Sequence, residues 1–143
     1  MNQNVEVVTK SSRARVFKWV AVVLCVLLAI VVVAKNLPRG FSDDLSSVGK
    51  GKAAVVLIRD KNAVQTFDLL ELMNGLRDQY AGKIEFLLTD SNTSQGKRFM
   101  KANEAPRVTL VLLDPSGKKV KVLFPPQTAE SLQQEISALS GAE

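Results

Sequence analysis

An uninterrupted apolar run near the start of the chain constrains its fold more than any other feature. Residues 19–34, WVAVVLCVLLAIVVVA, contain no charged side chain. A helix needs about 20 apolar residues to cross the hydrocarbon core of a bilayer. Val16 and Phe17, with Lys18 reaching toward the headgroups, extend the run toward that length. We therefore predict a transmembrane helix at 19–34, preceded by a short basic tail at 1–18.

The charges around the run predict its orientation. Four basic residues precede it, whereas Lys35 and Arg39 are the nearest ones after it. Because cytoplasmic flanks carry the excess of Lys and Arg, we expect a single-pass protein of the inner membrane. Its N-terminus would be cytoplasmic and its C-terminal domain periplasmic. A cleavable signal peptide ending at Ala34 is the alternative, but signal cores are usually shorter, about 7–15 residues.

The composition argues against several kinds of chemistry after the run. The chain has no histidine, and its single cysteine, Cys25, lies within the apolar run, so an intramolecular disulfide is impossible. We therefore expect no enzyme activity, no cofactor and no resident metal. The whole chain has 19 basic and 14 acidic residues and only eight aromatic ones. The excess of positive charge lies mostly in the tail, so we do not expect the basic, aromatic face of a nucleic-acid-binding protein.

The rest of the chain divides into three parts. Residues 35–52 are rich in Gly, Ser and Pro and predict a flexible linker. Residues 53–139 alternate apolar runs with turn residues and predict one globular domain, and residues 140–143 form a C-terminal tail.

The apolar pattern of 53–139 predicts the order β-α-β-α-β-β-α. The predicted strands are 53–59, 84–89, 108–113 and 119–124. The first predicted helix follows a turn and cap at 60–62 and ends at Tyr80. The second covers 93–103, and the third runs from Thr128 to Leu139. A helix between the first two strands makes them parallel. Asp114-Pro115-Ser116-Gly117 is a turn sequence that makes the last two an antiparallel hairpin. The predicted fold class is α/β, with a mixed four-stranded sheet and helices on both faces.

Two apolar faces follow from this pattern. We expect the first helix to bury a stripe that includes Phe67, Met73 and Leu76. We expect the last strand to bury Val120, Val122 and Phe124, which alternate with Lys119, Lys121 and Leu123.

Three features in order resemble the thioredoxin family across 51–139. They are the apolar strand AVVLIRD before a long helix, Ala105-Pro106 before the strand VTLVLLD, and the hairpin DPSGKKVKVLF before the helix TAESLQQEISAL. The resemblance implies a thioredoxin-like fold and a cis peptide bond at Pro106. Where the family places Cys-x-x-Cys, however, this chain has Asp60-Lys61-Asn62-Ala63-Val64-Gln65. Since disulfide exchange requires thiolates, we expect a redox-inactive member.

The resemblance also implies a binding surface. In redox-active relatives the proline flanks a groove where an extended polypeptide pairs with exposed backbone. We therefore expect a protein partner to dock by strand addition on two segments, Asp60, Lys61 and Asn62 together with Ala105, Pro106 and Arg107. Arg107 would select a carboxylate. The chain would then be an accessory or scaffold subunit of a membrane or envelope complex.

Two alternatives remain open for the polar residues at the strand ends. Asp60 and Asp90, with Asn62 and Asn92, could bind a hard cation and support a cation-dependent enzyme or ligand-binding domain. The competing interpretation is that they are caps and turn formers.

The roles of the domain's basic residues and of the apolar run also remain open. Lys97, Arg98 and Lys101 could contact anionic lipid headgroups or form an ordinary solvated face. It is also possible that the anchor is the working part, pairing with other membrane helices.

Overall fold

The computed structural model describes residues 6–36 and 40–141, with side chains at 16–33 and 40–141. The chain divides into two units between Gly40 and Phe41. The first contains helix α1, Glu6–Asn36, in which Val16–Val33 has a mean hydropathy of 3.0. By length and composition this segment is a candidate transmembrane span, although a signal sequence near an N-terminus would have the same properties.

The second unit is an α/β domain. Its elements are β1 Ala53–Arg59, α2 Gln65–Arg77, β2 Ile84–Asp90, α3 Ser94–Asn103, β3 Thr109–Leu113, β4 Lys119–Leu123 and α4 Ala129–Ser140. The four strands form one sheet in the order β2-β1-β3-β4. β1 and β2 are parallel, and β3 is antiparallel to both β1 and β4. The predicted element order and mixed four-stranded sheet are confirmed.

The core has two layers because β1 is buried on both faces. Successive side chains of a strand point to opposite faces, so Val55 and Leu57 pack under α2 and α4, and Val56 and Ile58 pack under α3. Burying each such side chain stabilises the fold by about 1.5–3 kcal/mol. Helices therefore cover both faces of the sheet, as predicted.

The buried stripe of α2 differs from the predicted one. The buried positions are Thr66, Leu69, Met73 and Leu76, followed by Tyr80 beyond the helix. Spacings of three and four residues keep these on one face, and Phe67 lies about 100° away from Thr66 on that helix. Phe67 is consequently 62% exposed rather than buried. The helix also ends at Arg77, three residues before Tyr80.

The predicted apolar face of β4 is wrong at Val120 and Phe124, whereas Val122 is partly buried against the core layer under α3. The pairing with β3 shifts register between Leu112 and Leu113, where a bulge leaves Val120 without a partner. Leu123 is paired with Leu110 and is buried in the α2/α4 layer, whereas Val120 and Phe124 are exposed. The one-residue bulge breaks the strict alternation on which the prediction rested.

The domain begins earlier than the sequence indicates. Ser42 pairs with the outer edge of β2, where the Leu88 N–H donates to the Ser42 carbonyl at 2.9 Å. Phe41 packs on the core, and the Arg77 guanidinium lies 5.0 Å from its ring centre. Asp44 accepts the Ser46 N–H and caps a short 3-10 turn. The later part of the predicted linker, residues 41–52, thus packs on the domain instead of forming a tether. Residues 37–39 lie outside the described residues, as do 142 and 143 of the predicted tail.

Candidate functional site

The loop between β1 and α2, residues Asp60–Val64, is held by its own hydrogen bonds. Asp60 Oδ1 accepts the Asn62 N–H at 3.0 Å, and the Asp60 carbonyl accepts the Ala63 N–H at 3.1 Å. The buried Thr66 hydroxyl donates to the same carbonyl at 2.9 Å and accepts the Asp60 N–H at 3.2 Å. The turn predicted at 60–62 is therefore present and fixed to the helix behind it.

The start of α2 is uncapped and apolar. The residue before it, Val64, has helical angles (φ −59°, ψ −41°) and makes no side-chain cap. The Thr66 and Phe67 N–H groups donate instead to the Ala63 and Val64 carbonyls at 3.1 and 2.9 Å. The helix cap predicted at 60–62 is thus wrong. Val64 is 71% exposed and Phe67 62% exposed; three residues apart, they share one face of the first turn. Together they form a small exposed apolar surface at the start of α2.

The second predicted segment, which we call the Pro106 loop, comprises Ala105–Val108. The Ala105–Pro106 peptide bond is trans, so the predicted cis bond is wrong; the cis bond in the described residues joins Pro125 and Pro126. The chain instead enters β3 through Val108 in the left-handed region, held by the Val108 N–H, which donates to the Ile58 carbonyl at 2.9 Å. That backbone turn positions the loop without a cis bond.

Backbone strain is concentrated around the Pro106 loop. Glu104 (φ 50°) precedes the loop and Val108 (φ 59°) is its last residue, and they are the two non-glycine residues with positive φ in the described part of the chain. For a β-branched residue such as Val108 this conformation is an outlier. Each strained residue costs about 1–3 kcal/mol, and such strain clusters at functional sites. The sequence carries no signal of this feature.

The two segments meet at the same end of the sheet. Because Thr109 pairs with Ile58, the Pro106 loop lies beside the end of β1. Arg107 Nη1 lies 3.4 Å from Asp60 Oδ2, and the two side chains are 53% and 15% exposed. An ion pair this exposed contributes about 0–1 kcal/mol to the free energy of unfolding. It therefore links the two loops without adding much stability to the fold. The Arg107 N–H donates to no acceptor within the described residues and is available to a partner.

Lys61 points away from the Pro106 loop toward β2. Its ammonium group lies 3.2 Å from Asp90 Oδ2, and the Arg59 guanidinium lies 3.7 Å from the same oxygen. The pKa of the Asp90 carboxyl is lowered, first by the hydrogen bond from the Asn92 N–H and, against a partial burial that raises it, by Lys61 and then Arg59. The structure thus brings Asp60 and Arg107 together and places Lys61 on the neighbouring strand end.

The cation-binding alternative finds no support in this geometry. Asp60 and Asp90 each face a basic side chain, and each accepts the N–H of the asparagine two residues later at 3.0 Å. Over 16–33 and 40–141, no three His, Cys, Asp or Glu side chains are grouped so that they could hold a metal ion. Both aspartates therefore form turns, and each also makes an ion pair with a basic side chain of the domain.

A groove that the sequence analysis missed lies between α3 and the Pro106 loop. It encloses about 470 Å³ and is lined by Ser91, Lys97, Met100, Lys101, Glu104, Ala105, Pro106 and Arg107. Ser91 is 1% exposed, and its hydroxyl has no hydrogen-bond partner in the described structure. Leaving a buried hydroxyl unpaired costs about 1–3 kcal/mol. The i, i+4 spacing of Lys97 and Lys101 was the available signal, but it did not reveal which surface they face.

Comparison with known proteins identifies the fold but no closer relationship. No family model and no curated protein matches the sequence. An uncharacterised thioredoxin-like protein from Clostridium perfringens superposes with a TM-score of 0.64 at 14% identity, covering 72% of this chain and 82% of that one. A mutant thioredoxin from Halobacterium salinarum gives 0.56 at 16% identity, covering 68% and 81%. Identities this low establish only the fold, which is that of thioredoxin, as predicted.

Proposed function

We propose that this chain is a membrane-tethered, redox-inactive protein-binding subunit. Its domain would capture a polypeptide partner on the surface formed by the Asp60–Val64 loop and the Pro106 loop. Helix α1 would anchor it in the inner membrane, with the N-terminus in the cytoplasm and the domain on the periplasmic side. In that position it would serve as an accessory or scaffold subunit of a membrane or envelope complex.

The observation that carries this proposal is the joined pair of loops with an exposed apolar edge. Asp60 and Arg107 link the loops, and Val64 and Phe67 expose apolar surface beside them. The free Arg107 N–H offers a backbone donor to an extended segment. Apolar contact surface and a backbone donor together suit a polypeptide better than a small polar ligand.

The proposed lack of redox chemistry follows from the loop's composition. Residues 60–65 contain no sulfur, and the single thiol, Cys25, belongs to α1. Disulfide exchange needs an attacking and a resolving thiol. The purified chain should therefore fail to reduce insulin disulfides in the presence of dithiothreitol, with a thioredoxin as the positive control; turnover above the dithiothreitol background would refute this part of the proposal.

The proposed membrane position can be tested with one substitution. Ser116 lies exposed in the β3–β4 turn, so Ser116→Cys should be labelled by a membrane-impermeant maleimide in intact spheroplasts. Cys25→Ser in the same chain removes the only other thiol. Labelling only after lysis would place the domain in the cytoplasm and contradict the proposed orientation.

Partner binding can be tested by affinity purification from solubilised native membranes. Asn62→Trp and Arg107→Glu each alter an exposed side chain of the proposed surface. Both should reduce partner recovery while the melting temperature of the chain stays unchanged. Ser116→Trp is the matched control, because the β3–β4 turn lies at the opposite end of the sheet. Equal recovery by all variants would show that this surface does not bind the partner.

A further inference from the structure

The groove between α3 and the Pro106 loop, which we call the basic groove, holds uncompensated positive charge. Lys97 and Lys101 line it one helical turn apart. Neither makes an ion pair with a side chain in the described structure. Two like charges on one helix face repel each other, and a ligand with a negative charge would relieve that repulsion.

The opposite wall of the basic groove adds a third cation. The Arg107 guanidinium donates one hydrogen bond, of 3.4 Å, to the Asp60 carboxylate. A guanidinium has five N–H donors, so others remain for a ligand. The one carboxylate that lines the groove, Glu104, is 87% exposed and lies 3.5 Å from Lys119. The groove is therefore positive overall, and its single negative group is already paired.

The unpartnered Ser91 hydroxyl is independent evidence for a ligand. Ser91 follows β2 directly, and its N–H donates to the Arg59 carbonyl at 3.0 Å, which fixes its backbone to the sheet. The side chain is 1% exposed, and its oxygen has no partner among the described residues. Ser91 is a lining residue of the groove, and its unpaired hydroxyl retains a donor for an oxygen of an anionic ligand.

We propose that the basic groove binds a carboxylate side chain of the partner polypeptide. This inference rests on the proposed function and names the partner's chemistry: an extended segment with Asp or Glu beside the residue that lies over Pro106. Met100, Ala105 and Pro106 supply apolar contact around the charge. The charge of the groove disfavours a second copy of this nearly neutral domain and favours an acidic polypeptide.

The test uses the full chain in nanodiscs of phosphatidylcholine, which carries no net charge. The probes are two fluorescent decapeptides, one of alternating alanine and glutamate and one of alternating alanine and glutamine, and fluorescence anisotropy gives their Kd values. We expect the glutamate peptide to bind about tenfold more tightly, since charge-assisted hydrogen bonds are the stronger ones.

Matched variants assign that preference to the basic groove. Lys97→Gln combined with Lys101→Gln should abolish most of it, and Ser91→Ala should weaken glutamate-peptide binding a few-fold. Arg98→Gln is the control for each single lysine substitution, because it removes one positive charge from the same helix at a residue that does not line the groove.

Each contrary outcome overturns the inference. Equal Kd values for the two peptides, binding of neither, or a preference that survives the double substitution would show that the groove does not select a carboxylate. Glutamate-peptide binding that disappears when phosphatidylglycerol is added to the nanodisc would assign the cations to lipid headgroups. In all four cases the proposed function is judged separately, by partner recovery with Asn62→Trp.

Discussion

The first two strand-to-helix junctions of this domain share the sequence pattern Asp-x-Asn but have different structures. β1 ends just before Asp60-Lys61-Asn62, and β2 ends at the first residue of Asp90-Ser91-Asn92. In both, the aspartate accepts the N–H of the asparagine at 3.0 Å. In both, a threonine hydroxyl donates to the aspartate carbonyl, at 2.9 Å after β1 and 2.8 Å after β2. The same local chemistry therefore closes both turns.

The position of the threonine separates the two junctions. Thr93 follows Asp90 by three residues, and it also accepts the Gly96 N–H at 3.0 Å, which caps α3. Thr66 follows Asp60 by six residues and lies inside α2, so it ties the helix to the strand but leaves the helix start uncapped. The three extra residues form a projecting loop with an exposed Val64.

This difference indicates which junction is structural and which is available for binding. The β2–α3 junction completes the hydrogen bonds of its turn and cap locally, with the exception of the Ser91 hydroxyl, and packs α3 closely on the strand end. The β1–α2 junction exposes apolar side chains and is joined to the Pro106 loop by the ion pair between Asp60 and Arg107. We therefore expect substitutions that break the cap or the close packing of the β2–α3 junction, at Thr93 or Gly96, to change the free energy of unfolding, and those at the β1–α2 junction to change partner binding.

The largest difference is expected at two helix glycines. A Cβ at Gly96 would lie 1.9 Å from the Asp90 carbonyl oxygen, so Gly96→Ala should lower the free energy of unfolding by about 3 kcal/mol. No atom lies within 4 Å of a Cβ at Gly75 in α2, and Gly75→Ala should raise it by up to about 1 kcal/mol. Urea unfolding followed by circular dichroism measures both. Similar effects of the two substitutions would remove the distinction between the helices.

A smaller difference is expected at the two helix starts. Thr93→Ala removes the α3 cap and should cost about 1–2 kcal/mol. Val64→Ser should change the free energy of unfolding by less than about 0.5 kcal/mol, because the helical backbone of Val64 does not have the extended geometry that a cap requires. Partner recovery should follow the reverse order, falling with Val64→Ser and remaining with Thr93→Ala.

A pH-dependent difference should come from the Asp90 carboxylate. Its pKa is lowered in the folded chain, so the stability that it adds is complete above its ordinary pKa of about 3.9 and is lost as the pH falls through the lowered value. Asp90→Asn should thus be less stable than the parent at pH 7, and the gap should close toward about pH 2. Urea midpoints across that range measure the gap; a constant gap would show that the carboxylate's ionisation is not its source.

The smallest expected effect is the coupling between Asp60 and Arg107. A double-mutant cycle of Asp60→Asn and Arg107→Gln should give less than about 1 kcal/mol, because the pair is partly exposed. Partner recovery should nevertheless fall with Arg107→Gln. A coupling of several kcal/mol would make this pair a stabilising element of the fold, like the contacts of the β2–α3 junction.

The sequence predicted those parts of the domain that depend on local pattern. Apolar runs located the strands, and the last helix begins after Thr128, whose side chain caps it. The bounds of α3 were nearly correct because cap, helix and end lie within a dozen residues. These features need only the periodicity and hydrogen-bonding capacity of neighbouring residues.

The remaining features depend on contacts between distant segments. The phase of α2, which exposes Phe67, is set by the buried Thr66 and its bond to the end of β1. The bulge at Val120 depends on pairing with β3, and the packing of Phe41 on α2 depends on a residue 36 positions away. The trans bond at Pro106 and the strain at Val108 arise where β3 meets β1. None of these is visible in a window of neighbouring residues.

The most direct test of the β1–α2 junction as a contact surface is site-specific photocrosslinking in native membranes. A photoreactive amino acid at Asn62 should capture one discrete partner, and the same group at Ser116, at the other end of the sheet, should not. Capture at Asn62 should persist in dithiothreitol, because no disulfide is involved. Equal capture at both positions, no capture at Asn62, or capture that dithiothreitol abolishes would contradict a domain that works through contact at this junction.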